Sequence, residues 1–195
     1  MDSAKKMLVA VGLAAAALSI GCATTEMTNT WTDPSAKGAA MSKIAVICLA
    51  KDPGLRRIAE DATAAQMGGT HAVPSYQVLD EIDLKDREAV KSRLNAAGFD
   101  GVLVMRLAAV SEHVTAYNTF DSYYAYGVGT VYGPGPGEVE TNTIVHIVSN
   151  LYSLEQNKLV WSGTSKTFDP QSARQAMTDV GQAVAKSLQK DRIIL

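Results

Sequence analysis

Ile44-Ala45-Val46-Ile47-Cys48-Leu49 is an uninterrupted apolar run closed on both sides by polar residues. A strand with only one covered face would alternate apolar and polar side chains. A continuous run of six is expected of a strand covered on both faces, as in the parallel sheets of α/β folds. Asp52-Pro53 follows at once. Aspartate accepts hydrogen bonds from free N–H groups at a helix start, and proline suits the first helical position. Leu55, Ile58, Ala59, Ala62 and Ala65 then recur at helical spacing, and Gly68-Gly69 is expected to end that helix.

The same alternation continues outward. Ala72 to Tyr76 can form a short strand, and Pro74 assigns it to a sheet edge. Asp83 with Asp86 resembles a capping arrangement before a second helix that buries Val90, Leu94 and Ala97 and stops at Gly98. Val102-Leu103-Val104-Met105-Arg106-Leu107 reads as a second buried strand. Thr143 to Leu154 and Leu159 to Phe168 read as a hairpin turning at Glu155-Gln156-Asn157-Lys158. Asp169-Pro170 opens a last helix with Ala173, Met177, Val180, Val184 and Leu188 on one face, and Ile193-Ile194-Leu195 can add a short strand. The expected class is α/β: a mixed β-sheet with about three helices, in the order β-α-β-α-β, an insertion, then β-β-α.

Upstream of this domain lies an anchor signal. Lys5 and Lys6 precede the uncharged stretch Met7 to Ile20, and Ser19-Ile20-Gly21-Cys22 ends it. Fourteen residues fall short of the roughly 20 needed to span a bilayer and fit the apolar core of a secretory signal. A small residue before a cysteine is the lipobox of bacterial lipoproteins, so residues 1–21 read as a signal peptide and Cys22 as the lipidated N-terminus. Each buried acyl CH₂ contributes roughly 0.8 kcal/mol, and more than one chain suffices for stable anchoring. Ala23 in place of aspartate points to the outer membrane, on its periplasmic face, with inner-membrane anchoring as the other location. Residues 22–42 are expected to be a flexible tether of polar, Thr-rich sequence, reaching roughly 25 Å as a coil. Trp31 interrupts its polarity; it either packs on the domain edge or docks on a partner.

Residues 43–195 then form a single α/β domain, interrupted at 111–142 by a Tyr/Gly/Pro-rich insertion. Tyr117, Phe120, Tyr123, Tyr124, Tyr126 and Tyr132 cluster there, and no Lys or Arg occurs from Leu107 to Asn157. Such a segment cannot neutralise phosphates, which argues against nucleic acid and anionic headgroups as partners. Two readings of it stand. It is an aromatic surface for glycan, protein or the bilayer interface, or a long, partly disordered loop whose tyrosines cover a sheet edge.

These elements together resemble a family. The lipobox Cys22, Thr30-Trp31-Thr32-Asp33-Pro34, the strand at Ile44, Asp52-Pro53-Gly54-Leu55-Arg56-Arg57 with Glu60-Asp61, Gly98-Phe99-Asp100, the Tyr/Gly insertion and Leu159-Val160-Trp161-Ser162 look like uncharacterised bacterial lipoproteins grouped as a domain of unknown function. In element order that group is similar to the amino-terminal domain of TolB, and it also resembles the lipoprotein activators of penicillin-binding proteins and the curli secretion lipoprotein. The resemblance implies a periplasmic α/β scaffold working through protein contacts, and it carries over no catalytic residue.

Chemistry is sparse. His71, His113 and His146 are far apart in sequence without a zinc spacing. Gly127-Val128-Gly129 lacks the third glycine of a dinucleotide loop, and Ser162-Gly163 lacks a nucleophile elbow. Once Cys22 is acylated only Cys48 remains, too few for a disulfide, and a small buried hydrophobe is its expected role. Asp100 reads as a turn cap or an acid at a strand start. Arg56, Arg57, Glu60 and Asp61 lie one helical turn apart and read as a solvated, ion-paired face that could dock a partner. No enzyme activity, cofactor or metal is expected. The functional expectation is a membrane-anchored adaptor or assembly factor with an envelope protein partner. The alternative is a ligand module that grips glycan or a neutral small molecule with the Tyr-rich insertion.

Overall fold

A computed structural model describes residues 24–38, 40–68, 70–79, 86–117, 120–124, 130–134 and 138–195. At 24, 113–117, 120–124, 130–134 and 138–141 it describes the backbone path alone. In chain order the elements are β1 (Thr24–Thr32), β2 (Lys43–Cys48), α1 (Pro53–Ala64), β3 (His71–Pro74), α2 (Arg87–Ala96), β4 (Gly101–Tyr117), β5 (Phe120–Tyr124), β6 (Thr130–Pro134), β7 (Glu138–Ser153), β8 (Lys158–Phe168) and α3 (Ala173–Lys190). Short 3₁₀ turns at Pro34–Ala36 and Ser75–Gln77 join them.

Six strands form one mixed sheet in the order β1-β8-β7-β4-β2-β3. β2 pairs in parallel with β3 and β4, and every other neighbour pairs antiparallel. The fold is therefore the expected α/β class, with β3 at the edge where Pro74 assigned it.

Helices α1 and α3 pack on one face. Ala59 and Ala62 of α1 and Val180, Val184 and Leu188 of α3 close over Ile44, Val46, Leu103, Leu151, Val160 and Trp161. Gly181 permits this crossing: a Cβ there would lie 2.9 Å from the Thr63 Cα, so any side chain would push the helices apart. Gly163 on β8 is held to hydrogen by the Trp161 ring and the Met27 methyl above it. On the other face α2 covers only the parallel part, where Leu94 packs with Ala45, Ile47, Val73, Phe99 and Val102.

Several expectations are corrected. Residues 24–32, read as flexible tether, form edge strand β1, paired with β8 from Thr24↔Phe168 to Thr32↔Trp161. β-branched threonines suit a strand. Only Met27 on it reaches the core, so no apolar periodicity marks it. The last helix opens at Ser172, whose hydroxyl accepts the Gln175 N–H. Asp169 instead sits at φ +43°, and its carboxylate accepts the Thr143 N–H at 2.6 Å. The tail 193–195 makes a single bridge, Met41↔Ile194, rather than a strand.

The buried side of α1 is also shifted from the apolar spacing. Arg56 and Glu60 are buried with Ala59, Ala62 and Thr63, while Leu55 stays exposed.

The described part of 111–142 is not loop. β4 and β7 remain paired from Gly101↔Ser153 to Tyr117↔Glu138, and β5 pairs with β6 beyond them. Prolines among glycines forbid a helix, but they leave a ribbon open at its strand ends; Pro134 closes β6 opposite Phe120.

Candidate functional site

The Arg56–Glu60 pair was the expected charged surface, and it is interior. Glu60 is fully buried and Arg56 is 5 % exposed. Glu60 Oε1 accepts from Arg56 Nε at 2.9 Å, Ser75 Oγ at 2.7 Å and the Cys48 N–H at 3.0 Å, while Oε2 accepts the Tyr76 N–H at 3.1 Å. Arg56 Nη2 donates to Ser75 Oγ at 2.8 Å. One carboxylate thereby ties the end of β2, α1 and the turn after β3. An ion pair leaves water without large penalty only when its remaining valences are filled, and here the Ser75 hydroxyl and two backbone amides fill them. Sequence spacing shows the i,i+4 pair but not Ser75, which arrives from another element.

Only the outer half of the predicted face is surface. Arg57 is exposed, its guanidinium 5.5 Å from the Tyr76 ring centre, and the Tyr76 hydroxyl donates to Asp61 at 2.7 Å. That hydrogen bond, which favours the neutral phenol, raises the Tyr76 pKa. Burial, then the nearby Glu60 charge, pushes the half-buried Cys48 thiol up to about 11.

Asp100 fastens β2 to β4. Its Oδ2 accepts the Ser42 N–H at 2.6 Å, the Ser42 hydroxyl at 2.7 Å and the Lys43 N–H at 2.9 Å. Burial works against its ionisation, but these donors outweigh it and hold the carboxyl below its usual range. Among the described residues, no three His, Cys, Asp or Glu side chains gather as a metal site.

The remaining expected residues are on the insertion or before the domain. Tyr117 ends β4, Phe120, Tyr123 and Tyr124 lie on β5, and Tyr132 lies on β6 opposite Ser122. Tyr126 and Cys22, with the signal sequence, lie outside the described residues.

A surface that the spacing did not mark is the α2-side face of the sheet. No described helix covers it over β1, β8, β7 and the outer part of β4. The row Trp31↔Ser162↔Asn150↔Val104 crosses all four strands on this face, opposite the side that buries Trp161. Trp31 is 49 % exposed, and Ser162 donates to Asn150 Oδ1 at 2.7 Å. Trp31 thus rides on an edge strand as the sequence suggested, without being buried by it. The next row sets Asn29, Thr164, Val148 and Arg106 side by side. Beside the first turns of α2, a cavity of about 250 Å³ opens between helix and sheet, with Ile47, Val104 and Tyr152 from the strands and Arg87, Val90 and Lys91 from α2. An antiparallel sheet can leave one face to water when that face is polar. This one is mixed, with a half-exposed tryptophan at its rim.

No family model matches the chain, and no curated protein matches it. Among solved structures it is similar to the PelC dodecamer from Paraburkholderia phytofirmans, at 16% identity and a TM-score of 0.43, over 89% of this chain and 99% of that one. It is also similar to the lipoprotein GNA1162 from Neisseria meningitidis, at 17% identity and a TM-score of 0.39, over 76% of this chain and 99% of that one.

Proposed function

We propose that this chain is a cell-envelope lipoprotein, anchored through acylated Cys22 on the periplasmic side of the outer membrane, that acts without catalysis as an adaptor or assembly factor for another envelope protein. The observation that carries the reading is the bare sheet face. Four strands are left uncovered by the described helices, with Trp31 half exposed at one side and the trough beside α2 at the other. Aromatic side chains at the rim of a mixed polar surface are typical of protein contacts, because they bury large area at low entropy cost. The lipobox supports the anchoring half of the reading.

The test is photo-crosslinking in living cells with a photoreactive phenylalanine at position 31, and at Gln182 on the opposite side as control. A discrete protein adduct from position 31, absent at 182 and lost from a Cys22→Ser variant, is the expected result. Silence at position 31 in correctly anchored protein, or full complementation by the soluble variant, overturns the reading.

A further inference from the structure

The pairing register joins the anchor to the insertion. Thr24, two residues after Cys22, opposes Phe168; Phe168 opposes Ile144; Ile144 opposes Ser111. This row crosses four adjacent strands at one end of the sheet. With neighbouring strands about 4.8 Å apart, Ser111 lies roughly 14 Å from Thr24. Two residues of chain reach at most about 7 Å. The root of the insertion is therefore within roughly 20 Å of the lipid attachment.

From that root β4 and β7 continue without another strand beside them among the described residues. β2 ends at Cys48↔Met105, and β8 ends at Phe168↔Ile144. Glu112↔Thr143 through Tyr117↔Glu138 form an arm of six paired positions, about 20 Å long at 3.3 Å per residue. The ribbon β5–β6 follows it. Three strand steps of twist turn this arm by roughly 60–75° from the β1 axis, so it leaves the sheet at a steep angle to β1.

Exposed apolar residues stand near this end on β4: Val110, in the row of Thr25, is 56 % exposed, and Leu107, in the row of Met27, is 55 % exposed. In the sequence, Tyr117, Phe120, Tyr123, Tyr124 and Tyr132 fall on the arm and its ribbon, and no Lys or Arg occurs from 107 to 157.

We propose that the arm and ribbon lie in the headgroup zone of the bilayer that holds Cys22, with Val110 and Leu107 turned toward it. The inference rests on the anchoring stated under the proposed function. Tyrosine is enriched at membrane–water interfaces because its ring is apolar and its tip polar. Without cations, and with Glu112, Asp121, Glu138 and Glu140 on the segment, the arm takes a zwitterionic lipid surface and gains nothing from anionic lipid.

The test uses the full lipidated chain in a Cys48→Ala background, in vesicles of phosphatidylethanolamine and phosphatidylcholine. Spin labels are placed at Ser122→Cys on β5 and at Lys37→Cys past the far end of β1. Collision with oxygen, which partitions into lipid, is compared with collision with a water-soluble nickel chelate. The expected result is an oxygen-to-nickel ratio several-fold higher at 122 than at 37, unchanged by added salt, and collapsing toward the value at 37 when Tyr123 and Tyr124 become serine. A label at 122 as open to nickel as that at 37, or a ratio at 122 that salt brings down to the value at 37, overturns the inference with the anchor intact. Mass analysis of the N-terminal peptide separates the two readings: an unmodified Cys22 removes the anchor and both fall.

Discussion

The two faces of the sheet are built from the same strands and are closed to different degrees. Under α1 and α3 each of the six strands contributes residues to the core, down to Trp161 and Leu151 at zero exposure. On the α2 side closure stops at β4, and Val104, Val148, Asn150 and Ser162 remain half-buried. A covered face fixes the fold, and its residues have no freedom to touch anything else. The uncovered face carries less of the stability and is where a partner has access. Even the charged residues follow this division, since the ion pair on the α1 side is interior and saturated with hydrogen bonds.

The comparison is sharpest at Glu60. Glu60→Ala leaves the Arg56 guanidinium and the Ser75 hydroxyl buried without their acceptor, and about 3–5 kcal/mol of stability is expected to be lost in denaturant unfolding. Replacing Arg56 and Glu60 together by Met and Leu removes both charges and is expected to cost far less. A double replacement as damaging as Glu60→Ala would show that packing, rather than an orphaned charge, carries the site.

The faces themselves are separated by Leu151→Ala and Val148→Ala, three residues apart on β7. Leu151 is fully buried beneath the helices, and its loss is expected to cost about 2–5 kcal/mol. Val148, half-buried on the bare face, is expected to cost about 1 kcal/mol or less. Equal costs, measured by the same unfolding midpoint, would mean that the bare face is covered in solution.

Cys48 reports on the tightness of the β2 end. With the thiol pushed up to about 11, alkylation at pH 8 is expected to run about a hundredfold slower in the native chain than in urea, where the thiol titrates near its ordinary value. Because the native state holds the proton more tightly, the thiol's contribution to stability falls as pH rises from about 9 toward 11.

The smallest effect belongs to the exposed pair of Asp33 and Lys158, 2.8 Å apart. The hydrogen bond from Lys158, then those from Ser35, lowers the Asp33 carboxyl to about 2. A depressed carboxylate stabilises above its unfolded pKa, and that contribution is lost as pH falls from about 4 to about 2. Lys158→Ala should therefore lower Tm slightly at pH 7 and not at pH 2. A difference that persists at pH 2 would assign the effect to the lysine stem.

Local chemistry made much of this fold legible. The six-residue apolar run, Asp52-Pro53 and the Glu155 to Lys158 turn each specify their element within a few residues, and the structure follows them. What escaped was set by partners distant in sequence. β1 is polar because an edge strand with one core residue needs little apolar pattern, and its partner β8 lies more than a hundred positions away, as Thr24↔Phe168 and Thr32↔Trp161 show. The burial of Arg56 and Glu60 depends on Ser75 and on the backbone at Cys48, which helical spacing cannot register. Trp31 was visible as an anomaly, but the face it borders exists only once β1, β8, β7 and β4 are aligned.

The edge position of β1 also bears on how the domain would carry a load. Thr24, two residues past Cys22, is the first residue of a nine-residue strand zipped antiparallel along β8. With Cys22 anchored as proposed, tension from the membrane along that strand would slide β1 lengthwise against its neighbour. The ladder bonds then resist together, as in a lap joint, instead of parting one after another as in a peeled seam. Thr32, at the far end of β1, donates to Asp191 beside the end of α3 at 2.5 Å, so the same pull is passed on to the helix across the core. With that anchor, a strand that looks like a polar leader would be in mechanical terms the strap by which the domain hangs.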